Sequence, residues 1–303
     1  NTGAVFSLLL RRLYSNNTQP GINGFGGNTF FFDSKTGALR SGKIDNSSRG
    51  IYSVAMGNNN VASGSNATAL GSNTSAGGNH AVAIGNGNSA DGTASIASGQ
   101  NTTASGSITT AMGQNTIASG TVATALGYGT LASGTVSTAM GDNTNATGNR
   151  STAVGQNTTA SGSFSTAMGS NTTAFGSYST ASGKYTEATG YAAIAIGDSS
   201  LASGSISFAT GFRTVASGNY STALGYETTA SDLYSTAMGN KTTASGANST
   251  AMGNSTNAIG DYSTALGYFT NATGNHSTAL GIFTTATGNY ATALGYNSTS
   301  AGF

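Results

Sequence analysis

The chain has 303 residues, of which 46 are glycine and one is proline, and it contains neither cysteine nor tryptophan. Without cysteine there is no disulfide framework, and stability has to come from stacking and association. A charged fraction of 6% and a formal net charge of +1 give no electrostatic footprint for nucleic acid or an anionic membrane, and no apolar run approaches the ~18 residues of a membrane span.

Taken from its start, the chain opens at Asn1 rather than methionine, as expected of a processed chain or a fragment whose secretory signal has been removed. Residues 1–49 do not repeat and form a separate capping or junction segment ahead of a repeat domain at 50–303. They hold Arg11, Arg12, Lys35, Arg40, Lys43 and Arg49 against Asp33 and Asp45, a local charge of +4. Solubility and protection of a sheet edge account for such charges. The apolar group Val5, Phe6, Leu8, Leu9 and Leu10 is long enough for a strand or two helical turns and too short for a bilayer. It is a candidate junction for packing onto protein, either at the base of its own assembly or on the last coil of a following molecule. Pro20-Gly21 and the glycines from Gly24 to Gly27 mark a turn-rich link. Phe30-Phe31-Phe32 followed by Asp33-Ser34-Lys35-Thr36-Gly37 reads as a strand entering a turn, placed to cover the first coil.

From Gly57 to Gly295 a glycine returns every fourteen residues, eighteen times without insertion or deletion, and the residue two before it is always alanine. A second beat lies halfway, as in Ala104-Ser105-Gly106, where Ser300 is the exception to alanine and Asp232 the exception to glycine. A fixed period of this length marks a solenoid. A coiled coil fails because every seven residues carry a glycine, which costs a helix interior roughly 0.8–1 kcal/mol against alanine. Collagen needs glycine every third residue and the calcium-binding nonapeptide needs Gly-Gly-x-Gly-x-Asp, and neither occurs.

Short strands remain, with glycines at corners that turn tightly or take positive φ. The predicted fold is all-β, a solenoid of about eighteen two-strand coils. At ~4.8 Å per coil this makes a rod of roughly 85 Å. Alternation puts Ala139 and Gly141 on one face of the first strand and Thr138 and Met140 on the other. On the second strand Thr144, Ala146 and Gly148 share the inner face. Two strands back to back leave room for alanine and little more. The outward column of the first strand is apolar at fifteen of eighteen positions: Met56, Leu70, Ile84, Met112, Leu126, Met140, Val154, Met168, Ile196, Leu224, Met238, Met252, Leu266, Leu280 and Leu294. A stripe of that extent exceeds what a soluble monomer exposes, and it reads as an interface with further copies of the chain.

The phrase small–Val/Thr–Ala–Met/Leu/Ile–Gly, then x–x–Ser/Thr–x–Ala–x–Gly, resembles the head repeat of trimeric autotransporter adhesins, the YadA-like family, over about residues 50–303. Residues 30–57, from Phe32-Asp33-Ser34-Lys35 to Tyr52-Ser53-Val54-Ala55-Met56-Gly57, resemble the lead-in to such repeats in bacterial surface proteins. The resemblance implies a left-handed parallel β-roll, a homotrimer with the Met56 column near its threefold axis, and an extracellular or cell-surface role in adhesion. The charged neck, coiled-coil stalk and C-terminal membrane barrel of that family have no counterpart in the sequence given.

No convergent chemistry is expected. His80 and His276 share one column fourteen coils apart, about 67 Å at ~4.8 Å per coil. Asp91, Asp142, Asp198, Glu187 and Glu227 are scattered singly, with neither a carboxylate pair nor a metal cluster. The chain reads as non-enzymatic, with no cofactor or metal. Sequons such as Asn101-Thr102-Thr103 and Asn157-Thr158-Thr159 arise by chance in a composition rich in Asn and Thr, and glycosylation stays open. One column is not uniform: after the second glycine it runs Asn66, His80 and Ala94, and later Phe164, Tyr178, Tyr220, Tyr234, Tyr262 and Tyr290. A second corner holds Tyr226, Tyr268 and Tyr296. Strand propensity and packing between coils are one account. The other is an adhesive stripe at Tyr178, Tyr220, Tyr234, Tyr262 and Tyr290 for a host, matrix or glycan surface. The function expected is a structural and adhesive head. The alternatives are a filament joined head-to-tail through Val5–Leu10 and, behind it, an ice-binding solenoid using the Thr138 and Thr144 columns.

Overall fold

A computed structural model describes residues 29–33, 35–44 and 49–302. The junction residues Val5, Phe6, Leu8, Leu9 and Leu10 lie outside them. The chain divides into two compact units, Asn1–Asn143 and Thr144–Phe303. Each described part is a parallel β-solenoid of fourteen-residue coils, and among the described residues there is no helix. From Thr68 onward each coil contributes a five-residue strand such as Thr110–Gln114 and a two-residue strand such as Ile117–Ala118.

The frame follows from one rule, that like stacks on like. In the first unit Ala111 pairs with Ala125, Met112 with Leu126 and Gly113 with Gly127. In the second, Ala237 pairs with Ala251, Met238 with Met252 and Gly239 with Gly253. The short strands keep the same register, Ala118 on Ala132 and Ala244 on Ala258. The alanines facing inward from both strands, among them Ala111, Ala118, Ala237 and Ala244, are 0% exposed. The threonines beside them on the short-strand side, Thr144, Thr158 and Thr172, are equally buried.

The two glycine columns exist for different reasons. Gly239 has φ +127°, and an added Cβ would also run into the carbonyl of Gly253. Gly204 has no positive φ; it is glycine because a Cβ would meet the carbonyl of Gly218 in the next coil. The expectation that corner glycines turn tightly or take positive φ holds for the first column, whose glycines from Gly57 to Gly295 lie at φ +106° to +134°. Each coil also turns twice through a residue near φ +55°, and most of these residues are not glycine. Examples are Asn115 and Val122 in the first unit and Tyr220 and Lys241 in the second. Even β-branched Ile108, Val122, Val136 and Ile206 take φ between 54° and 58°, a conformation that costs an L-residue roughly 1–2 kcal/mol. The stacked coil over-determines the turn.

Two departures from the repeat are informative. Asp232 cannot enter its neighbour's backbone as glycine does, and residues 231–234 lie exposed. Its N–H turns to Ser235 Oγ (3.2 Å), whereas that of Gly246 reaches the Ala258 carbonyl of the next coil (3.4 Å). At the N-terminal side, β1 (Thr29–Asp33) pairs antiparallel with β2 (Ala38–Ile44), and β2 runs parallel to β3 (Val54–Ala62). That register sets Arg40 opposite Ala55, where a coil would present alanine. Arg40 is 4% exposed, and its guanidinium donates to the carbonyls of Leu39, Ser53 and Ala62 and to Ser53 Oγ. The carbonyls of Ser53 and Ala62 also accept from the Leu39 and Gly50 N–H groups, so one side chain adds a second bond to each and ties the lead-in to the first coil. Burial pushes the Arg40 pKa down, and the nearby charge of Arg49 adds to this while Asp33 opposes it. Burial alone would raise the Asp33 carboxyl. Hydrogen bonds from Thr36 and the Lys35 N–H, with Arg49 at 3.6 Å, outweigh burial and hold it below its ordinary value.

Candidate functional site

The interior is filled by alanine, threonine and serine, with Asn60 and Asn88 also buried; the candidate surfaces lie outside, in one apolar column and two corners. The apolar column stands on the outer side of the five-residue strands in both units. Met56, Ile84, Met112 and Met140 in the first unit and Met168, Ile196 and Met252 in the second are 38–44% exposed. Leu70, Leu126, Val154, Leu224, Met238, Leu266 and Leu280 are half-buried, and Leu294 is exposed. The column is interrupted by Ser98, Ser182 and Thr210. Beside it run the half-buried threonines Thr138, Thr152 and Thr166.

The tyrosine column occupies the left-handed corner that follows the second glycine, so strand propensity does not explain it. Packing between coils does occur there. In the second unit Phe164 stacks on Tyr178 at 5.0 Å between ring centroids, and Tyr220 on Tyr234 at 4.9 Å. His276 is held between Tyr262 at 4.8 Å and Tyr290 at 4.9 Å, with planes within 5°. Arg150 lies over the Phe164 ring at 5.2 Å. The rings remain largely in solvent, from 43% exposed at Phe164 to 76% at Tyr290. Tyr262, His276 and Tyr290 thus form one continuous ladder in the column shared by the histidines and tyrosines.

At the other corner Tyr226, Tyr268 and Tyr296 end their strands rather than turning the chain. The turning residues there are Phe269 and Phe283, which stack at 5.6 Å. Neither phenylalanine was singled out in the sequence, nor was the charged ladder on this corner. Arg213 and Lys241 flank Glu227 at 3.3 and 3.9 Å. Reading that column every fourteen residues would have found all five. Glu227, expected to stand alone, is the centre of an ion triplet.

The ice-binding alternative loses its second column: Thr144, Thr158 and Thr172 are fully buried and cannot meet a surface. Among the described residues no three His, Asp or Glu side chains converge as metal ligands, and no helix is long and apolar enough to cross a membrane.

This geometry defines a β-solenoid repeat protein with an alanine interior and an ordered apolar column outside. Comparison with family models gives its kin. The model described as YadA head domain repeat (2 copies) matches residues 48–74, 76–102, 104–130, 132–158, 160–186, 188–214, 216–242, 244–270 and 272–298. The chain belongs to the YadA head-repeat family. Each match spans two coils, in phase with the stacking. A search of curated proteins returned no match.

Proposed function

We propose that this chain is a non-enzymatic adhesive head: a left-handed β-roll that assembles as a homotrimer at the cell surface and attaches through its corners. The observation that carries the reading is the apolar column. Seven of its residues stand outward at 38–44% exposure and the others, apart from exposed Leu294, are half-buried, in fourteen-residue steps interrupted only at Ser98, Ser182 and Thr210, and burial of apolar area contributes about 25 cal/mol per Å². Family membership supplies the expectation that further copies cover it, with Met56 through Leu294 facing a shared axis. Adhesion then falls to the parts of the coil left outside the seam, among them the exposed rings of Tyr178, Tyr220, Tyr234, Tyr262 and Tyr290. Host, matrix or glycan material is the partner class.

Leu280→Asp tests the seam, because an unpaired charge in an apolar interface costs several kcal/mol. Light scattering after size exclusion should show the trimer dissociate or the folded fraction fall. A variant with unchanged mass and melting temperature would overturn the seam.

A further inference from the structure

The aromatic ladder of the second unit has a missing rung. Tyr220 stacks on Tyr234, and Tyr262 stacks on His276 and, through it, Tyr290. Between the two stacks, in the same left-handed position, stands Asn248. Coil spacing of ~4.8 Å puts Tyr234 and Tyr262 roughly 9.6 Å apart along the ladder. A flat ring set between them would lie about 4.8 Å from each, within the range of offset stacking. The walls of this slot are the faces of Tyr234 and Tyr262 that no neighbouring ring covers, and both side chains are more than half exposed.

The floor is polar. Asn248 is exposed, and its side-chain amide has no partner among the described residues. Asp261 reaches down to the same coil: its Oδ1 accepts the Ala247 N–H at 3.0 Å. That bond holds the carboxylate beside Asn248, and its Oδ2 has no partner among the described residues. Ala247, with only a methyl group, keeps the corner low.

We infer that this slot binds a neutral pyranose, one sugar unit of a glycan. A sugar ring presents C–H faces on both sides, which match two aromatic walls, and hydroxyls at its rim. An amide offers a donor and an acceptor to those hydroxyls, and a carboxylate accepts two more hydrogen bonds. An aromatic side chain would fill the same width but would leave both polar groups of the floor unmatched. The inference rests on the proposal that the tyrosine corner is the adhesive surface, and it names the ligand class and the position.

The test uses the whole chain and a panel of methyl pyranosides (galactoside, glucoside, mannoside and N-acetylglucosaminide), read by saturation-transfer NMR and tyrosine fluorescence. Binding of at least one in the millimolar range is expected. Asn248→Tyr, which completes the ladder with a residue the corner already accepts at four neighbouring coils, should weaken that binding at least tenfold with no loss of melting temperature. Asp261→Asn should weaken it less, and Tyr290→Ser, at the far end of the ladder, should leave it unchanged. Equal binding by Asn248→Tyr would overturn the slot. So would displacement of the sugar by p-cresol from every variant alike, or no binding by any pyranoside. Attachment to glycan-coated surfaces separates the two levels. If attachment is lost when Tyr178, Tyr220, Tyr234 and Tyr290 become Ser but survives Asn248→Tyr, the corner is adhesive and the slot is not its sugar site.

Discussion

The two units share one backbone and differ at their corners. In the first unit the corner after the second glycine carries Tyr52, Asn66, His80, Ala94, Ile108, Val122 and Val136, and the other carries, at its non-glycine positions, Asn59, Asn73, Asn101, Asn115 and Asn143. In the second unit the same positions carry Arg150, Phe164, Tyr178, Ala192, Ile206, Tyr220, Tyr234, Asn248, Tyr262, His276 and Tyr290, and Asn157, Asn171, Tyr185, Ser199, Arg213, Glu227, Lys241, Ser255, Phe269, Phe283 and Asn297. The φ values stay between 50° and 62° in every case. A turn that asparagine favours and valine resists is thus held equally by both, so the conformation comes from the coils above and below. Once the frame fixes the backbone, the corner side chain is released from a structural duty and can be chosen for what it meets outside. Both units use that freedom for amide ladders, Asn101 Nδ2 to Asn115 Oδ1 in the first and Asn157 Nδ2 to Asn171 Oδ1 in the second, each at 3.4 Å. The second adds stacked rings and charges.

If the frame is common, damage to it should be equal on both sides. Gly113→Ala and Gly239→Ala each force a Cβ at φ +123° and +127° into the carbonyl of the next glycine. Each should cost about 3 kcal/mol or more, combining strain with overpacking at 1–3 kcal/mol apiece. Hydrogen exchange resolved by residue reads the effect locally, which suits a repeat protein whose coils open in segments. Protection should collapse around the altered coil to the same extent in either unit. A loss confined to one of them would break the comparison.

Corner substitutions should separate the units by sign. Val122→Asn removes a β-branched residue from a left-handed turn and should stabilise its coil by about 1 kcal/mol. Tyr220→Asn gains similar relief but gives up a stacked pair with Tyr234, worth about 0.5–1.5 kcal/mol, and should be neutral or slightly destabilising. Thermal melts of the two variants check this. Equal stabilisation by both would mean that the stacked rings add nothing to the fold.

Much of the frame was legible because it is periodic. Alanine two before every glycine fixed the inner face, and the threonines of the Thr144 column were correctly placed beside it. What stayed hidden depends on contacts between coils or falls out of phase. The position of the left-handed turn could not be read from glycine, since the coil imposes it on Tyr220 and Val122 alike. Arg40 was invisible as a cap because its pairing with Ala55 is offset by fifteen residues, with an irregularity at Lys43/Ile44. Taken along the chain, Arg213, Glu227 and Lys241 look isolated; taken down the column, they are neighbours. The missing rung at Asn248 was hidden for a different reason, because it is defined by rings on coils either side and not by its own identity.

The smallest expected effect concerns that ion triplet, which the first unit has no counterpart for at its amide corner. Glu227 is 30% exposed between Arg213 and Lys241, which are 63% and 60% exposed, and exposed pairs contribute about 0.2–1 kcal/mol. Glu227→Gln keeps the shape and removes the attraction, leaving two cations two coils apart at roughly 9.6 Å. That distance is close to the ~10 Å screening length at 0.1 M salt. At low ionic strength the variant should therefore melt slightly below the parent, with a deficit of about 0.5 kcal/mol. In 1 M salt, where screening acts within ~3 Å, the difference should vanish. Asn115→Ala in the first unit is the control: it breaks a neutral amide contact, so whatever it costs should be independent of salt. A Glu227→Gln deficit that persists undiminished at high salt would mean that the ladder is held by packing of the Arg213 and Lys241 stems and not by charge, and the corners of the two units would then differ less in kind than their residues suggest.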